Sequence, residues 1–331
     1  MKTPRFWYRP PDVLSRLLAP AGQAYRAAGL LRRKLVAPYR AAVPVICVGN
    51  VVAGGAGKTP VALAIAAVLK RLGRKPVFVS RGYGGAESGP LPVDPGKHTA
   101  REVGDEALLL ASVAPCWIGR DRTAAVRAAE REATHIILDD GLQNPAVAHS
   151  LSLLVIDGET GVGNGELIPA GPLRETLADA LKRVDAVIMI GDDRSGIFSH
   201  LSSAGKTLPV LRSFLRPCLP EGFPRGGKFF AFAGIARPEK FYATCREAGL
   251  DVVRTRDFPD HHMFRAEELA ELAGQARRGN LNLITTEKDA QRIPREFRSQ
   301  ISVLPVEISF EEEERLLFLL QSSTTAPRFP S

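Results

Sequence analysis

Residues 45–60 of this chain read Val45-Ile-Cys-Val-Gly-Asn-Val-Val-Ala-Gly-Gly-Ala-Gly-Lys-Thr-Pro60, and this stretch decides the fold. A short apolar run leads into a glycine-rich turn, a Lys-Thr pair and a helical pattern. Glycines allow the backbone to direct its N–H groups at phosphate oxygens, and the N-terminus of the next helix adds partial positive charge. Pro60 suits the first helical turn, where its missing N–H has no partner to lose. The stretch predicts a strand, a phosphate-binding loop and a helix.

The loop is a candidate nucleotide site. Lys58 is expected to reach the β- and γ-phosphates of ATP, and the Thr59 hydroxyl to ligate Mg²⁺. The usual motif has a glycine six residues before its lysine, where this chain has Val52. The alternative is a glycine-rich turn that holds no phosphate, but the combination of strand, glycines, Lys-Thr and helix favours phosphate binding. The predicted nucleotide-binding residues are Val52, Ala53, Gly54, Gly55, Ala56, Gly57, Lys58 and Thr59.

Strand-like and helical stretches alternate along most of the chain. The apolar runs are residues 43–48, 76–79, 136–138, 151–156 and 186–190. This alternation predicts an α/β fold of the P-loop NTPase kind, with a parallel sheet and helices on both faces. A Pro- and Gly-rich stretch at 209–228 indicates a boundary. We expect an N-terminal helical segment (1–40), a P-loop core domain (41–215) and a smaller C-terminal α/β domain (216–331) that closes over the active site.

Composition narrows the function classes. The chain has 331 residues, of which 45% are hydrophobic and 24% charged, as in soluble globular proteins. Its net charge of +8 suits an anionic partner such as a nucleotide, a phospholipid or a nucleic acid. The four cysteines are widely spaced, which argues against a zinc site or a disulfide framework. No apolar run reaches the roughly 18–20 residues that span a bilayer.

Residues 1–40 form a basic segment with several arginines and only one acidic residue, Asp12. Apolar residues recur there at helical spacing, namely Leu14, Leu17, Leu18, Ala21, Tyr25 and Ala28. A basic amphipathic helix of this kind can lie in the interface of an anionic membrane. The alternative is a helix that packs its apolar side on the protein's own core.

Acidic residues stand at two positions that suit a nucleotide site. The run His135-Ile-Ile-Leu-Asp139-Asp140-Gly141 predicts a strand that delivers Asp139 or Asp140 to the metal beside the phosphate loop. Its alternative is a simple Asp-Gly turn. Asp105 and Glu106 open a helix, where acids often only cap the first turn.

His261 belongs to a His-His pair, which by itself indicates a metal site only weakly. A carboxylate supported by an imidazole can instead take a proton from an attacking hydroxyl. The residues alone leave both roles open.

Taken together, the segments resemble the tetraacyldisaccharide 4′-kinase family of lipid A biosynthesis. The family also lacks the first glycine of the usual phosphate loop. The shared pieces occur in the family's order and are Val48-Gly-Asn through Gly55-Ala-Gly-Lys-Thr-Pro60, Ser80-Arg-Gly-Tyr-Gly84, Val103-Gly-Asp-Glu106, Asp121-Arg122, Asp139-Asp-Gly-Leu-Gln143, Pro169-Ala-Gly-Pro-Leu-Arg-Glu175, Phe232-Ala-Gly-Ile235, Asp260-His261 and Thr285-Thr-Glu-Lys-Asp-Ala290.

The resemblance implies that ATP and Mg²⁺ are used to phosphorylate the 4′-hydroxyl of a lipid-linked disaccharide 1-phosphate. It implies a peripheral enzyme on the cytoplasmic face of a bacterial inner membrane. The implied catalytic residues are Asp105 as base, His261 as its partner, Lys58 and Asp140. The implied metal shell contains Thr59, Asp139, Asp140, Gln143 and Glu106. The implied substrate-binding residues are Asn50, Tyr83, Arg122, Arg174 and Glu175.

Three further observations concern a departure from the family and the alternative functions. The family often has His where this chain has Asn144, so the role of Asn144 stays open. A membrane-associated P-loop switch ATPase that regulates a partner protein is the competing interpretation. A GTPase is disfavoured, because the guanine motif Asn-Lys-x-Asp is absent and Thr286-Glu-Lys-Asp289 has the wrong spacing. No nucleic-acid-binding motif occurs, so we expect no nucleic acid partner. No obligate protein partner is evident from the sequence.

Overall fold

The computed structural model describes residues 4–202, 208–224 and 226–323. Parts of the three predicted segments, at 1–3, 203–207, 225 and 324–331, lie outside the described residues. The strands are β1 Val45–Gly49, β2 Pro76–Ser80, β3 Leu91–Pro92, β4 Cys116–Ile118, β5 His135–Asp139, β6 Leu151–Asp157, β7 Ala186–Ile190, β8 Val210–Pro217, β9 Lys228–Ala233, β10 Asp251–Asp257, β11 Leu281–Thr286, β12 Ile301–Leu304 and β13 Val306–Phe310.

Most of the helices lie between these strands, whereas the first precedes β1 and the last follows β13. They are α1 Val13–Leu35, α2 Lys58–Arg71, α3 Ala100–Val103, α4 Asp105–Ala111, α5 Arg122–Ala129, α6 Leu177–Leu181, α7 Ile197–Ser202, α8 Pro238–Glu247, α9 Ala266–Gly279, α10 Glu287–Ala290 and α11 Glu313–Ser322. Single 3₁₀ turns cover Arg5–Tyr8 and Arg295–Gln300.

A nine-stranded sheet with the order β13-β8-β7-β6-β1-β5-β2-β4-β3 forms the frame of the molecule. The seven strands from β8 to β4 are parallel, and only the two edge strands pair antiparallel. Strands β1, β2 and β5 are buried throughout, because helices cover both faces. One apolar core lies on the side of α2, α4 and α11, and the other lies on the side of α5 and α6. The predicted P-loop-type α/β class is confirmed.

A smaller parallel sheet, β10-β9-β11-β12, forms a second unit. Alternate residues of β9 face opposite sides of this sheet. Phe230 and Phe232 pack with Leu269 and Leu272 of α9, whereas Phe229 packs with residues of α8. Both faces are therefore covered by a helix.

The chain returns to the large sheet after the small unit. Strand β13 pairs antiparallel with β8, with Ile308 opposite Leu215, and α11 buries Leu316 and Leu320 in the core beside α2. The boundary predicted from the sequence assigns all of 216–331 to the small domain. In the structure, residues 306–323 pair and pack with the large sheet. An amphipathic edge strand carries no sequence signal for the sheet that it joins.

Candidate active site

The predicted phosphate loop lies between β1 and α2. Gly54 and Gly57 have φ values of +120° and +83°, which favour glycine. A Cβ on Gly57 would collide with Ile190. The loop therefore needs glycine for both conformation and space. Helix α2 begins at Lys58, so its N-terminus points at the space above the loop.

Parallel pairing brings the loop and the acidic strand end together. Val48 of β1 is opposite Asp139 of β5. The Thr59 hydroxyl donates to Asp139 Oδ2 at 3.1 Å, and Lys58 Nζ lies 3.7 Å from Asp140 Oδ1. Lys58 also donates to Asn50 Oδ1 at 3.3 Å. The carboxyl ends of two neighbouring strands thus form one polar site, as expected for an open α/β sheet.

Asp139 and Asp140 have different environments. Asp139 is 3% exposed. Its burial, and to a smaller extent the nearby Glu106 carboxylate, raise its pKa to about 7. Its Oδ1 receives no hydrogen bond from the described residues. Asp140 has a left-handed φ of +59°, and Arg174 Nη1 donates to its two oxygens at 3.0 and 2.8 Å. Burial raises the pKa of Asp140, but the charges of Lys58 and Arg174 outweigh burial and hold it below its ordinary value.

The site suits a single Mg²⁺ ion. Mg²⁺ typically binds one or two carboxylates together with substrate phosphates, rather than a complete protein cage. The unpaired buried oxygen of Asp139 and the Thr59 hydroxyl beside it fit this donor set. Within the residues that the structure describes, no cluster of three or more His, Cys, Asp or Glu side chains forms a separate metal site.

The other two predicted metal ligands already have partners. Glu106 forms an ion pair with Lys288 at 3.0 Å, and its charge acts on Asp139. Gln143 Nε2 donates to the Asn50 carbonyl at 2.7 Å and to Glu175 Oε1 at 3.0 Å. Gln143 Oε1 accepts a long hydrogen bond from Arg174 at 3.4 Å. Gln143 thus links Glu175 to Arg174, the residue that contacts Asp140.

Asp105 and His261 meet across the two units. His261 Nδ1 lies 3.1 Å from Asp105 Oδ2 and 3.3 Å from Oδ1, which favours the tautomer with a proton on Nδ1. Gly104, with φ +85°, lets the chain enter α4 beneath Tyr83, where a Cβ would collide with a carbonyl. The Tyr83 ring contacts His261 edge-on, with centroids 5.3 Å apart.

Two cations of the small unit support this pair. Arg292 Nε lies 3.1 Å from Asp105 Oδ2, and Lys288 Nζ lies 3.4 Å from His261 Nε2. Burial raises the pKa of Asp105, but the His261 hydrogen bond and the charges of Lys288 and Arg292 lower it overall. Sequence reasoning did not give Lys288 or Arg292 a role. The signal that could have found them is a run of charged residues directly after the buried strand β11.

The predicted substrate-binding residues lie in three kinds of surroundings. Tyr83 is exposed beside His261, and Arg174 covers Asp140. Arg122 is buried, and its Nη2 donates to the Asp139 carbonyl at 3.3 Å, so it supports the end of β5 from within. Asn50 and Glu175 are buried in the network around Gln143. Asn144 caps its own turn by accepting from the Ala146 N–H at 3.0 Å.

A cavity of about 420 Å³ opens beside the phosphate loop. Its walls come from the loop, the N-terminal segment and the small unit, and they include Tyr8, Gly54, Gly55, Thr160, Ala236 and Arg237. Next to it, Arg237 and Lys240 of the small unit lie 3.1 and 2.5 Å from Asp157 at the end of β6. The two units therefore also meet at Asp157.

Comparisons with known proteins identify similar sequences. The tetraacyldisaccharide 4′-kinase of Rhodospirillum centenum is 51% identical over 327 residues, covering 97% of this chain and 96% of that protein. The tetraacyldisaccharide 4′-kinase of Methylobacterium nodulans is 46% identical and covers 100% of this chain and 98% of that protein.

A solved structure shares the whole architecture. LpxK from Aquifex aeolicus, crystallised in complex with ATP, superposes with a TM-score of 0.75 at 25% identity, covering 94% of this chain and 100% of that one. The family model described as tetraacyldisaccharide-1-P 4′-kinase matches residues 14–324. The chain therefore belongs to the tetraacyldisaccharide 4′-kinase family.

Proposed function

We propose that this protein transfers the γ-phosphoryl group of ATP to the 4′-hydroxyl of a tetraacyldisaccharide 1-phosphate. The observation that carries the proposal is the meeting of Lys58 and Thr59 with Asp139 and Asp140 at the end of the parallel sheet. The Asp105–His261 pair on the same side supplies a base for an alcohol acceptor. The family and the ATP complex of a relative support the same reaction.

Phosphate binding falls to the loop and to Lys58. Backbone N–H groups of the glycine turn and the N-terminus of α2 receive the phosphate oxygens. Lys58 balances the charge that develops on the transferred group. Mg²⁺, held by Thr59 Oγ1 and Asp139, would supply further neutralisation of the β- and γ-phosphates. Arg174 keeps Asp140 ionised beside Lys58.

Proton transfer falls to Asp105. Its lowered pKa keeps the carboxylate ionised at neutral pH, so it is ready to accept the proton of the attacking hydroxyl. The transition state of phosphoryl transfer is loose, so a strong base is not required. His261 orients the carboxylate, and the small unit that carries His261 keeps water away from the transferred group.

Contact with an anionic membrane is part of the proposal, and α1 supports it. Its two buried residues are small, Ser15 and Gly22, and a Cβ added to Gly22 would lie 3.0 Å from Leu167 Cβ. The exposed side carries Val13, Leu17 and Leu35, at 83%, 75% and 75% exposure. A helix that packs on its own core would bury these residues. Apolar side chains facing outward with basic residues in the last turn suit a membrane interface.

The proposed location is the cytoplasmic face of a bacterial inner membrane, where a lipid-linked acceptor and ATP are both accessible. Among the described helices, none has the length and apolar character to cross a bilayer. Binding through α1 would bring the acceptor head group to the cleft between the two units.

The test compares the full-length protein with Lys58→Ala in mixed micelles that contain ATP, Mg²⁺ and the tetraacyldisaccharide 1-phosphate. We expect phosphorylated lipid from the wild type, and a loss of about 10²–10³-fold in kcat for a folded Lys58→Ala. ATP hydrolysis at the same rate without lipid, and no lipid product, would instead support a switch ATPase.

A further inference from the structure

A buried carboxylate links the N-terminal helix to the site. Glu175 is 6% exposed, yet it lies outside the metal shell. Arg33, in the last turn of α1, donates from Nη2 to Glu175 Oε2 at 2.9 Å, and Arg183 donates to the same oxygen. The other oxygen, Oε1, accepts from Gln143 Nε2 at 3.0 Å. Glu175 therefore joins α1 to the loop that follows Asp140.

Gln143 extends this contact along two branches. Its Nε2 also donates to the Asn50 carbonyl at 2.7 Å, and the Asn50 side chain accepts from Lys58. Its Oε1 faces Arg174 at 3.4 Å, and Arg174 in turn grips both oxygens of Asp140. An unbroken set of polar contacts thus runs from the last turn of α1 to the lysine of the phosphate loop and to Asp140.

The position of Glu175 makes this set sensitive to Arg33. Two guanidinium groups balance a buried carboxylate, and removal of one leaves the charge less compensated. Glu175 is then free to draw Gln143 or Arg183 out of position. Arg32 on the same turn is exposed, so it provides no equivalent support.

We propose that Arg33 is a positioning residue for phosphoryl transfer. By holding Glu175 it fixes Gln143 and, through Gln143, the placement of Lys58 and of the Asp139–Asp140 turn. The Arg33–Glu175 ion pair, and not the other contacts of α1 with the body, then sets the geometry of the site. The inference rests on the proposed function and adds that the helix offered to the membrane also sets the turnover rate.

Two other roles for Arg33 make different predictions. It could serve only to attach α1, as Arg26 does through its 2.7 Å pair with Asp179 on α6. It could also contact an anionic part of the substrate, because a groove of about 260 Å³ beside it is lined by Arg26, Arg32, Arg33 and Arg174. Arg26→Ala is the matched control, since it removes an ion pair of the same helix that ends on α6 rather than on Gln143.

The experiment measures kcat, KM for lipid and for ATP, melting temperature and vesicle binding for full-length wild type, Arg33→Ala, Arg33→Lys and Arg26→Ala. For Arg33→Ala we expect kcat to fall roughly tenfold with both KM values within about twofold, as for a loss confined to the transition state. Arg33→Lys should recover part of kcat, because it restores the charge beside Glu175. Arg26→Ala should lower the melting temperature and vesicle binding as much as Arg33→Ala does, and it should leave kcat unchanged.

A double variant tests the route. In a Gln143→Ala background, Arg33→Ala should cost little additional kcat, because residues that act as one unit are not additive. Equal losses of kcat in Arg33→Ala and Arg26→Ala would show that Arg33 only attaches α1 to the body. A raised KM for lipid with unchanged kcat would make it a substrate contact, and full additivity would remove Gln143 from the route. Failure of the wild type to phosphorylate lipid would overturn the proposed function itself.

Discussion

His261 Nδ1 lies 3.1 Å from Asp105 Oδ2, although 156 residues separate the two in the sequence. Asp105 begins a helix of the large unit, and His261 has a left-handed φ of +58° in a loop of the small unit. Their contact joins the two units. The chemistry that we propose therefore uses residues of both units.

The first prediction concerns this pair. Asp105→Ala and His261→Ala should each lower kcat by about 10²–10⁴-fold, because each removes proton transfer, while KM for ATP changes little. The double variant should be scarcely worse than either single one. Single-turnover rates and melting temperatures would be measured together. Independent, multiplicative losses would argue against a coupled pair, and normal rates with a lowered melting temperature would leave only a structural role.

The second prediction concerns the pH dependence of Mg²⁺ binding. Burial, assisted by Glu106, raises the pKa of Asp139 to about 7, so below that pH the carboxyl is protonated and must lose its proton to bind a cation. Affinity for Mg²⁺ in the presence of a non-hydrolysable ATP analogue should fall by up to about tenfold per pH unit below 7. Calorimetry in buffers of different ionisation enthalpy should detect about one proton released at pH 6 and fewer at pH 8.

Asp139→Asn is the control for that experiment, because it keeps the shape and cannot titrate. The nucleotide's own protonation contributes equally to both proteins, so their difference isolates Asp139. An identical proton release from wild type and Asp139→Asn would contradict the assignment of Asp139 to the metal.

The third prediction concerns the exposed side of α1. Leu17→Asp and Leu35→Asp together should abolish most binding to anionic vesicles and leave the melting temperature within about 2 °C, because both side chains already face solvent. Val253→Asp and Phe318→Asp together, at exposed apolar positions of β10 and α11, are the control for two added charges. Sedimentation with vesicles at two salt concentrations provides the measurement. Undiminished partitioning of the double variant would remove α1 from the membrane contact.

The fourth prediction concerns Arg174. Arg174→Ala should raise the pKa of Asp140 toward its ordinary value, because it removes one of the cations that lower it. It should lower kcat by roughly tenfold or more, because Asp140 loses the contact that holds it beside Lys58. Arg174→Lys keeps the positive charge but loses the contact with both oxygens of Asp140. Its kcat should therefore lie between those of the wild type and Arg174→Ala. A carbon-NMR titration of the carboxyl groups isolates this effect, because Asp139, with a pKa of about 7, governs the acidic limb of the pH–rate profile. The titration midpoint of Asp140 should move to higher pH in Arg174→Ala, and an unmoved midpoint would show that Arg174 does not control the pKa of Asp140.

Much of the fold follows from local signals in the sequence. The strand, glycine turn and helix at 45–60 each have a distinct pattern, and the buried runs of β2, β5 and β6 are continuous enough to predict a parallel sheet. Once the strands are parallel, the placement of Asp139 beside Thr59 follows from their shared sheet edge. The helix at α1 was also predictable from its spacing.

The remaining features depend on contacts between distant segments. The pairing of β13 with β8 is set by an edge that no local pattern identifies. Arg292 and Lys288 act on Asp105 and His261 only because the small unit folds back over α4. Glu175 was predicted as a substrate contact, but nothing in its neighbourhood of sequence reveals that Arg33 reaches it from 142 residues away. Such networks can be identified only from the three-dimensional structure.

The most direct test of the central claim is the position of the transferred phosphate. Wild-type protein would be incubated with ATP labelled at the γ-phosphate, Mg²⁺ and tetraacyldisaccharide 1-phosphate, and the lipid product would be analysed by phosphorus NMR and mass spectrometry. The account predicts a single new phosphate, carrying the label, on the 4′-oxygen of the disaccharide. Label found only in inorganic phosphate, on the protein or at another hydroxyl would contradict it.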